Sequence, residues 1–148
     1  MTTSANKFTF SFDFDDTLGK SEILQEYCKK FLDQGHTVKI LTRRYAKGIT
    51  KEDEHTWVYL LAKELNIPSE HIHFTNRKLK YEFIDNLGIN FHIDDDFNDY
   101  YYILNYTKCV PILFVEADNK YGAANINWQN TMDNLLIGIL PEKNVKKA

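Results

Sequence analysis

The sequence predicts an α/β fold, with a central, mostly parallel five-stranded sheet and helices on both of its faces. The first observation behind this is alternation: short runs of strand character take turns along the chain with longer runs of helical periodicity. The second is size and composition. A chain of 148 residues, 43% hydrophobic and 14% aromatic, suits one domain over residues 1–148 and is too apolar to remain disordered. The third is cysteine content. Cys28 and Cys109 are too few for a disulfide framework or a Cys-rich zinc site, and their apolar surroundings mark both as buried free thiols.

Residues 8–14 read as the first strand, in which Phe8, Phe10, Phe12 and Phe14 alternate with Thr9, Ser11 and Asp13. Ser21 caps a helix over residues 21–34 with the stripe Ile23, Leu24, Tyr27, Cys28, Phe31 and Leu32, and Gly35 fits its C-terminal end. Residues 37–41 form the second strand, and the polar stretch 42–55 a loop. Residues 56–65 form a helix through Trp57, Leu60, Leu61 and Leu65, stopped by Asn66 and Pro68. A short strand over 71–74 precedes a short helix over 80–87, with Phe83, Ile84 and Leu87 inward and Gly88 at its end. The fourth strand, 91–93, runs into three aspartates. Residues 97–106 carry Phe97, Tyr100, Tyr101 and Leu104 at helical spacing. The fifth strand spans 110–115, a polar loop spans 116–127, and a last helix uses Trp128, Met132, Leu135, Leu136 and Ile139.

In an open parallel sheet, ligands bind beyond the carboxyl ends of the strands. Asp13, Asp15, Asp16 and Thr17 follow the first strand, and Thr42, Arg43 and Arg44 the second. Thr75, Asn76, Arg77, Lys78 and Lys80 follow the third, and Asp94, Asp95 and Asp96 the fourth. Crowded carboxylates repel unless something compensates them. Mg²⁺ is the natural compensator, since it prefers oxygen ligands and completes its shell with water and substrate phosphate. Neighbouring cations suit the remaining phosphate oxygens. Positions two apart in an extended chain point to one side, so Asp13 and Asp15 are expected to face one substrate together. One then serves as nucleophile through an aspartyl-phosphate, and the other as proton donor and acceptor.

The run Phe10-Ser11-Phe12-Asp13-Phe14-Asp15-Asp16-Thr17-Leu18 resembles the first motif of the haloacid dehalogenase (HAD) superfamily, a hydrophobic strand followed by Asp-x-Asp-x-Thr. Val38-Lys39-Ile40-Leu41-Thr42 resembles the second motif, Lys80 at a helix start the third, and Ile93-Asp94-Asp95 the fourth. The four occur in order over roughly residues 8–115. The resemblance implies a Rossmann-like, HAD-type three-layer sandwich and a Mg²⁺-dependent phosphatase. In that scheme Asp13 is the nucleophile and a metal ligand, and Asp15 is the general acid/base with its main-chain carbonyl on the metal. Thr42 and Lys80 hold the phosphoryl oxygens, Asp94 is the third protein ligand, and Asp95 is a second acid at the metal. Thr17, Arg44 and Lys78 are candidate substrate contacts. Lys78 competes with Lys80, which is preferred because it directly precedes the Tyr81-Glu82-Phe83-Ile84 helix. Asp95 is the alternative to Asp94 as direct ligand, with Asp96 or Asp99 supporting either. Asp16 stands where the family often has Gly.

Two other readings are weaker. A response-regulator receiver also uses acids, Thr and Lys at strand ends, but it needs a lone Asp after the third strand and a Lys after the fifth. No lone Asp follows Phe74 and no Lys directly follows Val115. A non-catalytic phosphate-binding relative is expected to have lost Asp13 or Asp15, and both are present. The segments between motifs leave room for single helices only, which implies an open site with no large cap domain. Arg43, Arg44, Lys47, Arg77 and Lys78 then make a locally basic mouth, suited to a nucleotide or a phosphorylated polynucleotide end. The Thr42-Arg43-Arg44 run and the capless layout are similar to the phosphatase domains of polynucleotide kinase enzymes.

Other features have plainer readings. His71 and His73 have no third zinc ligand spaced nearby, and His92, between Phe91 and Ile93, reads as a satisfied core histidine. Tyr100–Tyr102 and the Trp128 stripe read as core, and Lys143, Lys146 and Lys147 as a solvated tail. A net charge of −3 argues against wrapping nucleic acid over the whole surface. The start, MTTSANKF, lacks an apolar signal core, and no run reaches the ~18 apolar residues of a membrane span. A cytoplasmic setting with no membrane partner is the default expectation.

Overall fold

The structure, a computed structural model, describes residues 6–115 and 127–143. The expected loop 116–127, save Asn127, and the tail lysines Lys146 and Lys147 lie outside them. Five strands, β1 (Thr9–Phe12), β2 (Thr37–Thr42), β3 (Ile72–Phe74), β4 (Phe91–Asp94) and β5 (Val110–Leu113), pair in the order β3-β2-β1-β4-β5, every pair parallel. The helices are α1 (Glu22–Asp33), α2 (Thr56–Glu64), α3 (Tyr81–Ile84), α4 (Phe97–Tyr106) and α5 (Asn127–Leu136). The expected Rossmann-like α/β architecture is therefore present. The chain winds outward from β1 to β3, then crosses back to β4, so the direction of winding reverses between β1 and β4. That reversal opens a crevice at the carboxyl ends of the two strands.

Both sheet faces are covered. Phe10, Phe12, Val38, Ile40, Phe91, Ile93 and Ile112 point to one face, where they meet Leu24 and Phe31 of α1, Val58 and Ala62 of α2, and Trp128 and Met132 of α5. Phe10 stacks on Phe31 with ring centroids 4.0 Å apart. On the other face Leu41 joins Ile84 of α3, Ile89, Ile103 of α4 and Cys109 in a smaller core. Cys28 and Cys109 are free and buried, and burial pushes both thiols up to about 12, which keeps them protonated and inert.

Local chemistry sets the element ends. The Ser21 hydroxyl accepts the Leu24 N–H at 3.1 Å, capping α1. At its far end Gly35 is left-handed (φ 89°), and the His36 N–H returns to the Phe31 carbonyl at 3.1 Å. Between β1 and α1 the chain makes a wide turn over Phe14–Leu18, closed by Leu18 N–H to Asp13 O at 3.0 Å and Gly19 N–H to Phe14 O at 2.8 Å. A Cβ at Gly19 would stand 2.8 Å from that Phe14 carbonyl oxygen. Gly19→Ala should thus lower the urea midpoint, by about 1–3 kcal/mol of stability, because backbone rather than a flexible side chain must move. An unchanged midpoint would show that the turn has slack.

Several inward stripes differ from expectation. In α2, Trp57 (64% exposed) and Leu60 (54%) face out, while Val58 and Ala62 face the sheet. Of the expected stripe, Leu65 is buried and Leu61 packs against the core, so only Trp57 and Leu60 are left on the surface. In α4, Phe97 (61% exposed) and Tyr101 face out, and Asp99 and Ile103 face in. Ile23 and Ile139 are also exposed. Lys143, expected in a solvated tail, is half-buried and donates to the Thr107 carbonyl. Among the described residues, α1 lies between β1 and β2, and α2 with a short 3-10 turn (Ser69–His71) between β2 and β3; no large cap is inserted. No helix among the described residues is long and apolar enough to cross a membrane.

Candidate active site

Four chain segments deliver polar side chains to the crevice. Asp13 continues β1 by one residue, its N–H donating to the Ile93 carbonyl at 2.9 Å. Asp94 ends β4 and is held on its other side by the Phe114 N–H, 2.8 Å from its carbonyl. Thr42 ends β2, fully buried, with its hydroxyl 3.2 Å from the Arg44 N–H. Lys80 stands at the start of α3 and is almost wholly buried. Parallel pairing of β1 with both β2 and β4 is what lines these residues up along one edge.

Lys80 is the hub. Its ammonium donates to Asp13 Oδ1 and Asp94 Oδ2, both at 2.6 Å, and lies 3.7 Å from Asp99 Oδ2. Burial acts to lower the Lys80 pKa, but Asp94, Asp13 and Asp99 outweigh it and hold the ammonium charged. Asp94 is also buried, yet Lys80 and His92 keep its carboxyl well below the usual range. Asp13 moves the other way: burial and the Asp94 charge push it well above 3.8 despite Lys80. Burial likewise raises Asp95. The Thr17 hydroxyl is 3.1 Å from Asp13 Oδ2 and 2.9 Å from Asp95 Oδ1, and its one proton cannot serve both at once.

One oxygen each from Asp13, Asp94 and Asp95 lie within 4.8 Å of one another. An oxygen-only donor set at this spacing fits a hard divalent cation. Burial first, and then the Asp94 charge, disfavour the ionised form of Asp13 despite Lys80, and a bound cation would offset that penalty. Asp94 and Asp95 both belong to this group of carboxylates. Asp96 does not; its side chain caps α4 by accepting the Asp99 N–H at 3.0 Å.

Asp15 is placed differently from the side-by-side arrangement expected with Asp13. The chain leaves extended geometry after Asp13, with Asp16 left-handed at φ 55°. Asp and Asn tolerate that conformation better than most residues, and Gly better still. The Asp15 carboxylate, 51% exposed, stays at the rim in a forked pair with Arg44, whose Nη2 and Nε lie 2.7 Å and 3.0 Å from its oxygens. Arg44 also donates to the Glu54 carbonyl at 3.0 Å and stacks on Phe14.

The basic mouth is less basic than expected. Arg43 donates to Asp99 at 2.9 Å, Arg44 is taken by Asp15, and Arg77 pairs with Glu54 at 2.7 Å. Lys78 is exposed on the turn after β3, away from the buried cluster that Lys80 joins. Thr17 faces the carboxylates rather than the opening. Ser11 and His92, both fully buried, connect to the cluster without having been anticipated there. Compared with known proteins, the chain matches no family model and no curated protein.

Proposed function

We propose that this chain is a Mg²⁺-dependent phosphohydrolase of the HAD type. The observation that carries the reading is the convergence at the β1/β4 crevice of buried Asp13, Asp94, Thr42 and Lys80, in the chain order and strand-end positions of that superfamily's four motifs. The cation would be held by Asp13, Asp94, Asp95 and the main-chain carbonyl of Asp15, and would supply charge neutralisation for the phosphoryl group.

A carboxylate oxygen of Asp13 attacks phosphorus, and the bond from phosphorus to the leaving oxygen breaks. Asp15 gives that oxygen a proton. Asp15, now a carboxylate, takes a proton from water as the water oxygen attacks phosphorus and the Asp13–phosphate bond breaks. Inorganic phosphate leaves and both aspartates return to their starting states. Thr42 and Lys80 steady the phosphoryl oxygens, with Lys80 kept charged by its three carboxylate neighbours. For Asp15 to reach the reacting atoms, its pair with Arg44 must loosen, and a substrate phosphate is a competing ligand for that guanidinium. Arg44→Ala should therefore raise KM more than it lowers kcat. It should also change stability by no more than about 1 kcal/mol, since the pair is partly exposed. A large stability loss with unchanged KM would make Arg44 a structural residue.

An uncapped site is suited to a substrate too large to be enclosed, and we assign a phosphorylated nucleotide or polynucleotide end as the favoured class. The test is phosphate release with Mg²⁺ and with chelator over an aryl phosphate, mononucleotides, 3′-phosphorylated oligonucleotides and sugar phosphates. Metal-dependent release from at least one supports the reading. Absence of release from all of them overturns it.

A further inference from the structure

We propose that His92 is a positioning residue for the metal site, fixing the Asp94 carboxylate in the orientation that receives the cation. The inference rests on the metal reading above and concerns a residue that none of the four motifs includes.

Ser11 and His92 are direct register partners on β1 and β4. Their side chains share the sheet face of Asp13 and Asp94, since each lies two residues before one of those acids in a strand. They form a buried chain: Ser11 Oγ is 2.6 Å from His92 Nδ1, and His92 Nε2 is 2.7 Å from Asp94 Oδ2. Both side chains are fully buried, and the immediate neighbours of His92 in β4 are Phe91 and Ile93. An imidazole here is an expensive choice. A branched aliphatic side chain would suit a buried parallel strand better, and a buried polar ring is stable only with its hydrogen bonds made.

The chemistry of the partners settles what the ring does. An ionised carboxylate only accepts, so Nε2 must carry a proton and donate to Asp94. The Ser11 hydroxyl then donates to Nδ1 and holds the ring in that tautomer. Asp94 Oδ2 is thus gripped by His92 and by Lys80, while Oδ1 accepts the Asp96 N–H at 2.9 Å and keeps a second lone pair. Hydrogen bonds of this kind orient metal-binding side chains, and their loss typically costs 10–100-fold in metal affinity.

The experiment is calorimetric titration of Mg²⁺ into the wild type, His92→Phe, His92→Gln and Ser11→Ala, with thermal unfolding of each in chelator. Mg²⁺ affinity should fall about 10–100-fold in His92→Phe. It should recover most of the loss in His92→Gln, whose amide N–H can donate to Asp94, and fall by a smaller factor in Ser11→Ala. A purely structural role would lower the melting temperature and leave the affinity of the folded protein unchanged. Folded His92→Phe binding Mg²⁺ within about threefold of a wild type that binds it would overturn the inference and leave the metal reading standing. A wild type that binds no Mg²⁺ would overturn both. If His92→Phe does not fold, Ser11→Ala and His92→Gln decide: wild-type affinity in Ser11→Ala together with a full loss in His92→Gln overturns the positioning chain.

Discussion

Asp13→Asn should abolish phosphate release, by about 10⁴-fold or more, the scale expected when a nucleophile is removed. The same substitution stabilises the metal-free protein. In the folded state burial and Asp94 push the Asp13 pKa well above 3.8, so ionised Asp13 weakens the fold. The sign of the pH dependence follows. Below 3.8 both folded and unfolded chains hold the proton and no penalty exists. As pH rises from there to the raised folded value, the unfolded chain releases its proton first and wild-type stability falls. Asp13→Asn has no such proton to lose. Its advantage should open across that window and stay constant above it. Thermal unfolding in chelator from pH 4 to pH 8 checks this. A wild type that is more stable than the variant at pH 8 would contradict the account of the cluster. Adding Mg²⁺ should raise the Tm of wild type and have much less effect on the variant.

Lys80→Met should be the most destabilising single change at the site. The ammonium touches Asp13 and Asp94 at 2.6 Å in a nearly dry setting. Removing it leaves buried carboxylates facing one another, and breaking one side of a buried ion pair typically costs about 3–5 kcal/mol. Chemical denaturation in chelator measures the loss, and Mg²⁺ should restore part of it by supplying positive charge. Lys78→Met, on an exposed turn, should stay within about 0.5 kcal/mol of wild type. Equal effects of the two substitutions would undo the assignment of Lys80 as the hub.

The sheet was largely legible because its signals are local. Each strand is a short apolar run with helices between, and each motif acid or hydroxyl stands at a strand end, where parallel pairing forces convergence. The preference for Lys80 over Lys78 also rests on a local signal, its place directly before the Tyr81–Ile84 turn of helix, although that signal did not report its burial. What was not legible depends on contacts between distant segments. Two helical stripes overlap in α2, one through Trp57 and Leu60 and one through Val58 and Ala62. Periodicity ranks them equally, and only the closeness of helix to sheet selects the smaller pair. In α4 the inward position goes to Asp99, because Lys80 and Arg43 are there to meet it.

The site shows the same division. Extended-chain alternation held through Asp13 and broke in the turn around Phe14 and Asp16, while the carboxylate of the intervening Asp15 is taken by Arg44. The arginines that suggested a basic mouth are each claimed by an acid from another segment, Asp99, Asp15 or Glu54, and no local pattern reports such pairings. Ser11 did carry a signal. In a doubly covered parallel sheet the alternate face of a central strand is buried too, so a hydroxyl there needs a partner. Read this way, Ser11 on β1 points to His92 on β4, and His92 to Asp94.

The central claim is that Asp13 carries the phosphoryl group. Asp15→Asn with an aryl phosphate isolates that step, because an aryl oxygen leaves without a donated proton while water still needs a base to attack the aspartyl-phosphate. Covalent phosphoenzyme should accumulate in Mg²⁺. Quenching with borohydride should convert the phosphorylated carboxyl to an alcohol, and mass spectrometry should find homoserine at position 13. Phosphate release with an unmodified Asp13, or with the reduced residue elsewhere in the chain, would contradict the account.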